Sequence, residues 1–199
     1  MELKKLRVIY EKRGLFSFIP HTSIPQVFAR AARRAGLHFE YSEGYSPRPK
    51  ISLGPALPVG VVALREPADI NFTSWNDVLI KDWINNLPKG LVIHSWGEVE
   101  GKSLSKECRV ASYLLFPRQG LPPEEFFQAF TCEEMGQILL EVNLKDEMIS
   151  LLLADPQQYG PGFLVKYLVR KELISNWSEI AIIRTSIGNM IEGKVVPLL

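Results

Sequence analysis

Strand-like and helix-like patterns follow one another in this chain as β-α-β-β-α-β, and the same order returns, more faintly, in its second half. Residues 6–10 partly alternate apolar and polar side chains, the period of a strand. Thr22 or Ser23 then caps a helix with Pro25 in its first turn, where a missing N–H costs little. Ile24, Val27, Phe28, Ala31 and Ala35 share one face of that helix, and Gly36 ends it. Residues 50–53 read as a short edge strand among prolines, and residues 69–73 as another strand. Ser74 or Asn76 caps a second helix with Leu79, Ile80, Trp83, Ile84 and Leu87 inward, and residues 91–96 form the next strand. In the second half the same reading gives strands at 110–116 and 179–185, helices at 124–130 and 163–173, and a hairpin of 137–142 with 147–153.

Each sheet in such a pattern needs helices on one face. The sequence therefore predicts an α+β fold of two tandem ferredoxin-like (split βαβ) units, the second more divergent. The length of 199 residues suits two units of about 100. They are expected at 1–104 and 105–199, with the seam in the polar stretch 101–108.

The net charge is only +1, yet its distribution is uneven. Residues 1–50 hold ten Lys/Arg against four Asp/Glu, and the remainder holds 13 against 18. A basic front end points to an anionic partner. From Lys12 to Lys50 the cations Lys12, Arg13, Arg30, Arg33, Arg34, Arg48 and Lys50 are interleaved with Phe16, Phe18, Phe39, Tyr41 and Tyr45. Cations neutralise phosphates and flat rings stack on unpaired bases, a mixture suited to single-stranded or looped RNA. The stiff Gly/Pro connector at 41–50 offers Tyr41, Ser42, Tyr45, Arg48 and Lys50. His21 stands just before the basic helix, placed for acid–base work or for a phosphate.

Cys108 and Cys132 are the only cysteines and belong to no CxxC, so neither a zinc site nor a disulfide framework is expected. There is no Walker loop, no GxGxxG after a strand, no HExxH and no EF-hand pattern. The absence of CxxxCxxC excludes an iron–sulfur cluster held in the usual radical-SAM manner. No metal site or cofactor is predicted. The opening residues lack a signal-peptide core, and no run reaches the length of a membrane span, so a cytoplasmic protein with no membrane partner is expected.

Five segments occur in an order that resembles a known family: residues 10–14 (YEKRG), 18–21 (FIPH), 30–37 (RAARRAGL), 41–51 (YSEGYSPRPKI) and 54–60 (GPALPVG). Together they look like the radical-SAM-linked domain family, an uncharacterised bacterial domain fused to, or encoded beside, a radical-SAM protein. The family's pattern carries an acidic residue where this chain has Ser23, while His21 is kept. The resemblance implies a radical-SAM protein as partner, with the cluster chemistry belonging to that partner.

Three functions follow as expectations. The first is a non-catalytic accessory module that binds tRNA or rRNA through Lys12, Arg13, His21, Arg30, Arg34, Tyr41, Ser42, Tyr45, Arg48 and Lys50. The second is a metal-independent ribonuclease using His21 as its catalytic residue. The third is a protein-interaction subunit docking through the Leu/Pro segment 53–62 without touching nucleic acid.

Overall fold

A computed structural model describes residues 4–100 and 103–199. Strand β1 (Lys4–Lys12) leads through short 3-10 turns at Gly14–Phe18 and His21–Ser23 into helix α1 (Ile24–Arg34). Strands β2 (His38–Phe39) and β3 (Ile51–Leu53) are short, and β4 (Val62–Ser74) is long. Helix α2 (Asp77–Asn85) and strand β5 (Leu91–Glu98) complete the first half. After the single turn α3 (Leu104–Glu107) come β6 (Val110–Pro117), α4 (Pro123–Phe130), β7 (Leu139–Lys145) and β8 (Met148–Ala154). Helix α5 (Pro161–Arg170), β9 (Ile180–Ile191) and β10 (Lys194–Pro197) close the chain.

The described residues form a mixed α+β fold around one large sheet, ordered β5-β1-β4-β9-β6-β8-β7. Strands β2 and β3 add to β4, and β10 adds to β9. In the first half, β1 lies between β5 and β4 with antiparallel pairing on both sides. In the second half, β6 lies between β9 and β8 in the same way, and β7 pairs with β8 as a hairpin. The halves meet where Val62 and Ala63 pair in parallel with Ile183 and Arg184. Gly101 and Lys102, in the expected seam, lie outside the described residues.

Alternation along β1 sends Leu6, Val8 and Tyr10 to one buried face. Helices α1 and α2 cover that face: Tyr10 meets Phe28 edge-on at 5.3 Å between ring centroids, and Phe28 meets Trp83 at 5.5 Å. The Trp83 indole N–H donates to the Phe28 carbonyl at 3.2 Å, so the buried polar atom is satisfied. A second core gathers Leu115, Leu151, Phe126, Phe130, Leu164 and Leu168 under α4 and α5. Leu57, Val61 and Ala63 belong to this second core although they precede β5 in the chain. The expected boundary at 104 is therefore crossed by packing in one direction. Arg7 crosses it in the other, donating to Asp69 at 2.7 and 2.9 Å and to Glu107 at 2.7 Å. No helix among the described residues is long and apolar enough to cross a membrane.

Candidate functional site

Helix α1 is amphipathic because Ile24, Phe28, Ala31 and Ala32 are buried against the sheet, which turns Arg30 and Arg33 outward. Facing them is the connector between β2 and β3. It closes on itself: Ser42 N–H donates to the Arg48 carbonyl at 2.8 Å, and Arg48 N–H donates to Ser42 Oγ at 3.0 Å. Tyr41 bridges to Pro49 at the base of this loop, and Tyr45 stands fully exposed at its tip. Between helix and loop lies a cleft of about 600 Å³ lined by Thr22, Gln26, Arg30, Arg33, Arg48 and Pro49. None of the three arginines is ion-paired to a carboxylate among the described residues. Arg33 donates to the Tyr41 hydroxyl at 3.1 Å, which holds a ring at the rim of the cleft.

The other cations expected here are elsewhere or engaged. Lys50 pairs with Glu40, whose carboxyl also accepts from Asn71 at 3.1 Å. The Lys50 ammonium holds the Glu40 carboxyl below the usual carboxylate range. Arg34 reaches back to α2, donating to the Asn86 side-chain oxygen at 3.3 Å and the Asn86 carbonyl at 2.7 Å. Arg13 pairs with Glu11 at 3.0 Å. Lys12 is buried, so the reading that put it on the binding surface is corrected: it continues the inward face of Leu6, Val8 and Tyr10.

His21 also faces inward. Its ring is half-buried, its Nδ1 is buried without a partner, and its neighbours are Arg184 and Lys12. Burial first, then those two cations, push its pKa down to about 4, with the nearby Gly54 backbone acting in the opposite direction. It is therefore neutral at pH 7 and adds no positive charge to the cleft. A ring held neutral is not poised as a general acid at pH 7. In segment 53–62, Leu57 and Val61 are buried in the second core and Val59 is the one large apolar side chain that is exposed, so this stretch ties the halves together instead of presenting an apolar face.

Sequence reasoning passed over a buried polar group that includes Glu66, Tyr113 and Arg184. Arg184 donates to Glu66 through Nε at 2.7 Å and through Nη2, and Nη2 donates also to the Pro55 carbonyl at 2.7 Å. The signal was present: Ile180, Ile182 and Arg184 alternate along one inward face of β9. Among the described residues no cluster of His, Cys, Asp and Glu is arranged to hold a metal ion. Cys108 is buried, which pushes its thiol up to about 12, and Cys132 lies 3.0 Å from the Tyr167 hydroxyl.

A family model described as "Uncharacterized protein conserved in bacteria (DUF2344)" matches residues 5–149. No curated protein matches the chain. Among solved structures, the ligand-free regulatory subunit of aspartate kinase from Thermus thermophilus is 10% identical, with a TM-score of 0.29. That similarity covers 85% of this chain and 91% of the other. A protein described as a glycine cleavage system transcriptional repressor is 13% identical over 95% of this chain and 100% of its own, with a TM-score of 0.26.

Proposed function

This chain belongs to the DUF2344 family of uncharacterised bacterial proteins, and on that footing we propose that it is an RNA-binding accessory module. Its contact surface is the cleft between α1 and the 41–50 connector. One observation carries the reading: Arg30, Arg33 and Arg48 converge on one open cleft with no carboxylate paired to them among the described residues, beside the exposed rings of Tyr41 and Tyr45. Guanidinium groups match phosphate oxygens, and rings on a rigid loop offer stacking platforms for unpaired bases. In this reading the two half-sheets, each with its inner strand flanked in the order β5-β1-β4 or β9-β6-β8, are tandem ferredoxin-like units. The reaction served belongs to a radical-SAM partner, and this chain holds the tRNA or rRNA segment.

The test is fluorescence anisotropy of a labelled single-stranded RNA over a range of salt. Three phosphate contacts give a slope of log K against log salt of about −2, and each one removed flattens it by roughly 0.7. Arg30→Ala with Arg48→Ala should flatten the slope by about 1.4 and weaken binding at low salt. Affinity unchanged in the double variant refutes the assignment. Co-purification of a radical-SAM protein with the tagged chain tests the partner.

A further inference from the structure

A separate cluster lies inward of His21, at the junction of the two half-sheets. Strand register sets Lys12 of β1 opposite Ala63 of β4, Ala63 opposite Arg184 of β9, and Arg184 opposite Tyr113 of β6. Residues directly opposite one another point to the same face of a sheet, so these four form one row across four strands. Tyr10 and Glu66, paired across β1 and β4, flank that row. Tyr10, Lys12, Glu66, Tyr113 and Arg184 are all fully buried.

The donors in this cluster outnumber the acceptors. Both Glu66 oxygens are taken by Arg184, and Arg184 Nη2 is shared with the Pro55 carbonyl. What remains without a partner is Tyr10 Oη, Lys12 Nζ, Tyr113 Oη, Arg184 Nη1 and His21 Nδ1. The Tyr113 hydroxyl lies beside the Arg184 guanidinium without closing a hydrogen bond to it. Burial raises the pKa of both phenols, which keeps them protonated and able to donate. Lysine and arginine have donors only. Buried donors left unmade are costly, and natural interiors rarely tolerate several together. Arg184 and Lys12 stand against one carboxylate, and burial, with Arg184, pulls the Lys12 pKa down, a cost that a nearby negative group relieves; the group that satisfies this cluster is rich in acceptors and negative.

We propose that this row is a binding site for a small oxyanion of the phosphate class, with His21 as the half-exposed member at its outer edge. Tyr10 and Lys12 come from the first half of the chain and Tyr113 and Arg184 from the second, so the ligand is gripped by both. The site shares no cation with the arginine cleft.

The experiment titrates inorganic phosphate into the full chain at constant ionic strength, with chloride as balance. Thermal unfolding and the imidazole NMR signals of His21 are followed. At about a hundredfold excess over its dissociation constant, phosphate should raise Tm by roughly 5–10 °C. The His21 signals should shift saturably in parallel. Lys12→Met removes a donor and a buried charge together, so it should fold and lose most of the response. Tyr113→Phe, a smaller change, should weaken binding by about tenfold. Arg30→Ala with Arg48→Ala should leave the response intact, which separates this site from the RNA surface. Glycerol phosphate binding as tightly as phosphate makes the ligand a phosphomonoester, and binding of phosphate alone makes it the free ion. No response beyond chloride, a larger response to acetate, or a full response in both Lys12→Met and Tyr113→Phe overturns the proposal.

Discussion

Replacing His21 with glutamine should make the protein less sensitive to mild acid. His21 has its pKa pushed from 6.5 to about 4 by burial and by Arg184 and Lys12. The folded chain therefore keeps this imidazole neutral where the unfolded chain protonates it. Between those two values the unfolded state holds the extra proton, so stability falls as pH drops from about 6.5 toward 4 and is unaffected by His21 above that window. A fall of about 2.5 in pKa corresponds to about 3 kcal/mol in a sealed site. The ring is half-buried, so solvent screening reduces this to about 1–2 kcal/mol. Glutamine can still hydrogen-bond near Gly54 but takes up no proton. Urea unfolding in phosphate-free buffer, followed by tryptophan fluorescence at pH 7 and pH 4.5, measures the difference. Wild type should lose about 1–2 kcal/mol more than His21→Gln over that interval. Carboxylates such as Glu40 weaken both chains alike in acid and cancel in the comparison. Parallel losses, or an imidazole that titrates near 6.5 by NMR, would show that His21 does not sit against Lys12 and Arg184.

Glu66→Gln leaves the Arg184 guanidinium buried without its counter-charge and should cost about 3–5 kcal/mol in urea unfolding, while adding Arg184→Met should recover most of that. A loss below about 1 kcal/mol would mean that the pair is solvated. Gly90→Ala should cost about 2–3 kcal/mol, because Gly90 has φ +89° and a Cβ there would lie 2.5 Å from the Arg13 carbonyl oxygen and 2.9 Å from Phe16 Cβ. Gly120→Ala, at φ +93° with nothing within 4 Å, should cost only about 1 kcal/mol, and equal losses at the two glycines would remove the steric part of the argument.

Local signals were legible wherever they were self-contained. The Asn76 side chain caps α2 by accepting from Leu79 N–H at 3.0 Å, and Pro25 sits in the first turn of α1, both as the residue types dictate. The strand expected at 69–73 runs instead from Val62 to Ser74. Arg65, Glu66 and Pro67 interrupt its apolar alternation, and Glu66 is tolerated because Arg184, 118 positions away, answers it. The added strand β10 pairs only with β9, in a C-terminal stretch with little pattern of its own. In the arginine cleft the limit is of the same kind. Arg30 and Arg34 are one turn apart with identical chemistry, yet one faces open solvent and the other is spent on Asn86. Lys12 was the reverse case: the alternation Leu6, Val8, Tyr10, Lys12 already placed it inward, and its charge argued for the surface. The alternation was the better guide.

The junction of the halves gives the buried cluster its physical weight. The sheet is continuous there through only two residue pairs, so main-chain hydrogen bonding alone holds the halves weakly. Side chains supply the rest: Arg184 to Glu66 and the Pro55 carbonyl, Arg7 to Asp69 and Glu107, and Leu57 and Val61 inserted into the second core. An anion seated among Tyr10, Lys12, Tyr113 and Arg184 would draw donors from both halves onto one ligand. Occupancy would then stiffen the junction more than either core. Thr22, which lines the arginine cleft, and His21, which borders the buried row, are successive residues of one 3-10 turn. An anion that displaces that turn would also shift Thr22 at the cleft, so the two sites share a mechanical element even though they share no cation.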